Sequence, residues 1–131
     1  MYPSQSSIYR DLELMMLWYL PIGRTMPKDQ SLQNIGNFFQ SNLLEAMTAC
    51  AVALQTKDKG PRLELIGALM WHLSLCNSAV SMLYEYSCSK EKDKEKKDRV
   101  ITVTQFENYL ERKMSLKKQI GGWEKKTASE S

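Results

Sequence analysis

Residues 8–26 read IYRDLELMMLWYLPIGRTM, and their spacing decides the fold class. Ile8, Leu12, Met15, Tyr19, Ile22 and Met26 follow one another at intervals of four, three, four, three and four. That is the repeat of a helix burying one seam against other helices. Leu14, Leu17 and Trp18 lie off the seam, so the helix is apolar on more than one side. Ser6 or Ser7 stands where a helix start needs a hydroxyl acceptor. Pro21 removes a backbone donor inside the pattern. Because the seam resumes in phase at Ile22, a kink near residues 17–18 is expected rather than a break. Pro27 closes the helix at Met26.

The same period recurs outward from this segment. Residues 32–56 carry Ile35, Phe39, Leu43, Ala46, Cys50, Ala53 and Leu54 on one side, with no proline. Residues 56–61, TKDKGP, have the composition of a turn. A third helix is expected over 62–87, with Leu63, Ile66, Met70, Leu73, Asn77, Val80 and Tyr84 as its seam. Leu65, Leu69, Cys76 and Leu83 widen that seam. Residues 90–99 are all charged, six basic and four acidic, so 88–100 reads as a long flexible loop. Thr104, Gln105, Phe106 and Glu107 match a capping box, which places the last helix over 105–125 and leaves 127–131 as a disordered tail. Four such helices predict an all-α, up-down-up-down four-helix bundle forming a single domain over 1–131.

Charge is unevenly placed. The net charge is +3, yet residues 112–126, RKMSLKKQIGGWEKK, hold six basic side chains against one acidic. Wound as a helix, Tyr109, Leu116, Ile120 and Trp123 share a narrow arc, and Phe106, Leu110 and Met114 form an adjacent stripe. Arg112, Lys113, Lys117, Lys118, Lys125 and Lys126 flank this apolar face, a disposition suited to a polyanion or an acidic partner. A lysine-rich solvated face has the same composition. Gly121 and Gly122 disfavour helix by roughly 1 kcal/mol each. They either cap it or let a neighbouring backbone approach; Trp123, which continues the arc, favours the approach.

The sequence offers little for catalysis. Cys50, Cys76 and Cys88 are well separated, and His72 is the one histidine, so spacing assembles no zinc set. No nucleophile–base pair or glycine-rich phosphate loop is recognisable. A protein that is not an enzyme and uses no cofactor or metal is expected. Free thiols suit a reducing cytoplasm, and the apolar run 12–20 is too short to span a bilayer, so no membrane association is expected. The surplus of apolar positions at Leu14, Leu17, Trp18, Leu65 and Leu69 predicts a homo-oligomer, with Gly121, Gly122 and Trp123 in the contact.

Three segments resemble a known family. Residues 12–27 (LELMMLWYLPIGRTMP) have its first-helix form, an aromatic and apolar run with an internal proline, a basic residue and a closing proline. Residues 32–53 resemble its second helix. Residues 101–126 (ITVTQFENYLERKMSLKKQIGGWEKK) resemble its last, with an isoleucine–glycine–small–tryptophan ending at Ile120, Gly121, Gly122 and Trp123. The family is the accessory variability determinant proteins of diversity-generating retroelements. They are four-helix bundles related in fold to proteins encoded within intervening sequences of bacterial 23S ribosomal RNA genes. The resemblance implies a homopentamer with a basic surface, not itself an enzyme. It also implies binding to a reverse transcriptase and its template RNA, with DNA a second polyanion, in support of mutagenic retrohoming.

One departure matters. The family's third helix carries arginines that help contact the reverse transcriptase, whereas residues 63–86 here contain no Lys or Arg. A basic surface would have to come from the six residues of the last helix, extended by Arg24, Lys28 and Arg62 near helix ends. Lysines of this kind attract phosphate without reading bases. The alternative is a structural or regulatory helical oligomer that binds a protein partner and no nucleic acid.

Overall fold

In the computed structural model, which describes residues 6–89 and 100–130, the chain is an all-α four-helix bundle. The helices are α1 (Ser7–Arg24), α2 (Gln30–Gln55), α3 (Lys59–Ser89) and α4 (Val103–Ala128). Neighbours in sequence are neighbours in space, and α1 closes the ring against α4. Each pair is antiparallel. Tyr19 of α1 packs at a tilt against Phe39 of α2, Asn42 of α2 meets His72 of α3, and Tyr84 of α3 stacks on Phe106 of α4. Asp11 and Trp18 of α1 bond Gln119 and Gln105 of α4 in reverse order.

The α1 seam is as its spacing predicts: Ile8, Leu12, Met15, Tyr19 and Ile22 are all buried. Ser6 is the N-cap, its hydroxyl accepting from the Tyr9 N–H. The helix runs unbroken through Pro21 and ends two residues earlier than expected, at Arg24. Thr25 closes it by donating its N–H to the Pro21 carbonyl. Met26 is excluded because the residue before a proline avoids helical geometry. In α2 the inner side likewise holds Phe39, Leu43, Ala46, Cys50 and Ala53. Its start lies at Gln30, not Leu32, because Asp29 caps it through the Leu32 N–H.

The tight α1–α2 approach is made at Gly36. A Cβ there would collide with the Tyr19 hydroxyl and meet the Met26 methyl at 3.2 Å. Gly121 and Gly122, by contrast, lie inside a continuous α4 with nothing within 4 Å of the space a Cβ would take. The expected close approach is therefore absent within the chain. Gly121→Ala and Gly122→Ala should each stabilise the protein by up to about 1 kcal/mol, raising Tm by about 4 °C in a thermal melt. A fall in Tm that depends on protein concentration would instead place the pair in a contact between chains.

The third helix departs most from its expected seam. Its inner side is Ile66, Leu69, Cys76, Val80, Leu83 and Ser87. Met70, expected on the seam, is exposed. Leu69, expected at an oligomer contact, is fully buried in the chain's own core. The difference has a physical source: α3 has no charged residue from Leu65 to Tyr84, so two heptad registers that share Ile66, Leu73 and Val80 fit equally well. By length and composition, Lys59–Cys88 could also cross a membrane; its inner seam packs in this bundle, but only 28% of its most apolar window is buried. The helix starts at Lys59 rather than Arg62. Pro61 falls in its first turn, where a missing N–H costs nothing.

The α3–α4 connection is partly ordered. Residues 90–99 of the expected flexible loop lie outside the described residues, but Cys88 lies in the last turn of α3 and Val100 and Ile101 are buried. The capping box sits two residues earlier than expected. The Thr102 hydroxyl accepts from the Gln105 N–H at 3.1 Å, and the Gln105 amide oxygen accepts from the Thr102 N–H at 2.9 Å. Burying Val100 and Ile101 fixes the chain just before Thr102, so α4 starts there. Nor are residues 127–130 a loose tail. Thr127 is fully buried and Glu130 is tied to Arg62.

Candidate polyanion interface and the groove beside it

The aromatic centre fixes where α4 sits. Trp18, Phe39 and Tyr109 converge, with ring centroids 5.2 Å apart for Trp18–Tyr109 and 6.2 Å for Trp18–Phe39. The Trp18 indole N–H donates to the Gln105 carbonyl at 3.1 Å. Trp18 therefore packs inside its own chain, and so, in part, do Trp123 and Leu65. Of the residues expected at an oligomer contact, Leu17 stands clear at 54% exposure and Leu14 is half-buried.

With Tyr109, Leu116 and Ile120 buried, the basic side chains of α4 spread around the rest of its circumference. At about 100° per residue, Arg112 falls on the α1 side and Lys113 and Lys117 on the α3 side. Lys118 and Lys125 turn roughly opposite the core. Met114, from the expected second apolar stripe, also points outward at 70% exposure. The charge forms a broad positive surface rather than one line.

Two of the nine expected phosphate-binding residues are already engaged. Arg112 lies 3.7 Å from Asp11. Arg62 donates from Nη1 to both Glu130 carboxylate oxygens at 3.1 Å, from Nε to the Thr56 carbonyl and from Nη2 to the Lys57 carbonyl. It closes the α2–α3 corner and holds the C-terminal end of α4. Arg24 and Lys28 sit at the opposite end of the bundle from Lys125 and Lys126, because α1 and α4 are antiparallel. At 1.5 Å per residue the length of α4 separates them by about 35 Å, several screening lengths at physiological salt. The five lysines Lys113, Lys117, Lys118, Lys125 and Lys126 have no carboxylate partner among the described residues.

Between α3 and α4 lies a groove of about 340 Å³ that sequence reasoning missed. Met15, Met70, Leu73, Tyr109, Leu116 and Ile120 make it apolar, and Lys113 and Lys117 stand at its edge. The spacing Tyr109, Lys113, Leu116, Lys117, Ile120 held the signal. Those residues share one side of α4, but nothing in the sequence says that α3 leaves that side partly uncovered.

The remaining reactive groups are structural. His72 Nδ1 lies 2.8 Å from Asn42 Oδ1, and the Asn42 amide donates to the Phe38 carbonyl, which fixes its orientation and makes the histidine the donor. Asn77 is half-buried at the groove wall. Among the described residues no three His, Cys, Asp or Glu side chains gather to hold a metal. Burial pushes the Cys50 thiol up to about 11 and the Cys76 thiol up to about 12, the latter opposed by its hydrogen bond to backbone. Thiolate is the reactive form. Ellman's reagent should therefore modify one thiol in the folded protein, the exposed Cys88, and all three after denaturation.

The fold and surface define a class, a small all-α bundle with a basic outer helix. Comparison of the chain with known protein families, curated proteins and solved structures finds no match.

Proposed function

We propose that this is a non-catalytic accessory protein of a diversity-generating retroelement, binding a reverse transcriptase and template RNA in the cytoplasm. The observation that carries the RNA part is the set of five lysines on α4, exposed or at a groove edge, without carboxylate partners among the described residues. The retroelement and the reverse transcriptase come from the resemblance of residues 12–27, 32–53 and 101–126 to that family. RNA contact is confined to α4. Arg62 and Arg112 are engaged within the fold, and Arg24 and Lys28 lie at the other end of the bundle from Lys125 and Lys126.

Binding of this kind releases counterions, so affinity should fall steeply with salt. Reversing Lys113, Lys117 and Lys118 to Glu should weaken single-stranded RNA binding at low salt by about tenfold or more. It should also flatten the log–log salt slope by about 2, since each phosphate left without its lysine removes about 0.7. Circular dichroism should be unchanged. Unaltered RNA binding in the triple variant would rule out α4 as the interface.

A second reading has its own observation. From Leu65 to Tyr84 α3 carries no charge, and Met70, Trp71 and Met82 are exposed on it, Trp71 at 62%. A face like that suits a protein partner or further copies of the chain. Under this reading the protein is a structural or regulatory oligomer that leaves RNA untouched. Light scattering at a mass well above 15.1 kDa, with no RNA binding at low salt, would favour it.

A further inference from the structure

The α3–α4 groove has three properties that together specify a ligand. Its interior is apolar, built from Met15, Met70, Leu73, Leu116 and Ile120. Its edge carries Lys113 and Lys117, one helical turn apart on the same side of α4. Like charges at that spacing repel, and no carboxylate relieves them. The facing stretch of α3, from Leu65 to Tyr84, has no charged residue, and neither lysine has an ion-pair partner among the described residues. The third property is Tyr109, which lines the groove and is 2% exposed, closing it on the core side. An anion would give both lysines the partner they lack.

Volume decides between kinds of anion. About 340 Å³ lies at the small end of ligand sites. A helix is about 10–12 Å across with its side chains and would rest on the edge without filling the interior. A nucleotide chain would meet an apolar floor with no polar edge for its bases except Ser74 and Asn77. A single alkyl chain fits the interior, and its head group reaches the lysines.

We infer that the groove between α3 and α4 binds a long-chain carboxylate, its alkyl chain along Met70, Leu73, Leu116 and Ile120 and its carboxylate between Lys113 and Lys117. This does not rest on the RNA reading, although both readings use Lys113 and Lys117.

Isothermal titration with dodecanoate, below its micellar concentration, tests the site. Dodecanoate should bind saturably, one per chain. Lys113→Gln with Lys117→Gln should weaken it about tenfold, the scale of removing a charge-assisted hydrogen bond. Ser74→Trp, which fills the groove from its exposed wall without touching the core, should abolish binding while circular dichroism and the melting transition persist. Equal binding of methyl dodecanoate, or binding that never saturates, would mean adsorption to greasy surface and would overturn the assignment. So would dodecanoate binding that survives Ser74→Trp. Failure of dodecanoate together with saturable binding of an acidic amphipathic peptide would make the groove a protein-docking surface instead.

Discussion

Phe39→Ala should cost about 4 kcal/mol, the largest single-site loss in this bundle. Phe39 is fully buried at the middle of α2 and touches the two helices that close the ring from the other side. Its ring lies 4.8 Å from Tyr19, 6.2 Å from Trp18 and 6.5 Å edge-on from Tyr109. Truncation removes the transfer free energy of the ring, the aromatic contacts and the packing of their neighbours around the hole. These neighbours cannot collapse into it. Trp18 is held by its indole hydrogen bond to Gln105, and Tyr19 is wedged over Gly36. The same cavity would loosen Tyr109, which positions the basic face of α4. Urea denaturation should show the midpoint falling with little change in slope. A loss under about 1.5 kcal/mol would mean that the four aromatic rings do not form one packed unit.

The fold was legible because α1 and α2 are amphipathic. Where a helix has a polar side, the spacing of Ile8, Leu12, Met15, Tyr19 and Ile22 admits only one inward face. Legibility failed on α3 because that helix has no charged side over twenty residues, only the weak polar stripe Ser74, Ser78 and Ser81. Ile66, Leu73 and Val80 belong to both candidate seams, and only packing against α2 chooses Leu69, Cys76 and Leu83 over Met70, Asn77 and Tyr84. Caps were misplaced for a related reason. Asp29 and Thr102 are ordinary polar residues in sequence, and they become caps once Pro27 stops α1 and the burial of Val100 and Ile101 fixes the chain ahead of α4.

The site was legible as charge and illegible as geometry. Sequence places six basic residues within 112–126, and that cluster exists. It cannot reveal that Arg112 faces Asp11 from a helix a hundred residues earlier, or that Arg62 would bond Glu130 and two carbonyls. Long-range partners of this kind follow from the antiparallel α1–α4 and α3–α4 arrangement. Charge counted along the chain therefore overstated the free charge by its two best-placed arginines. Arginine is the side chain most apt for bidentate contacts, within the fold as much as with a ligand.

Ser87→Ala should destabilise by about 3 kcal/mol, although it removes one oxygen. The Ser87 hydroxyl sits in the last turns of α3, buried, and donates to the Leu83 carbonyl at 3.0 Å. Its oxygen accepts two backbone N–H groups at once, Val100 at 3.2 Å and Ile101 at 3.1 Å. Both belong to buried residues that begin the approach to α4. Alanine would leave two buried donors unpaired, each costing about 1–3 kcal/mol, whereas an exposed serine in a helix could be replaced at almost no cost. The consequence reaches α4 because its capping box begins at Thr102, the next residue. Hydrogen exchange should show loss of protection first at the Val100 and Ile101 amides, then along the first turn of α4, with the α1–α2 seam still protected. Retained protection at both amides in Ser87→Ala would mean that burial of Val100 and Ile101 alone anchors the start of the basic helix.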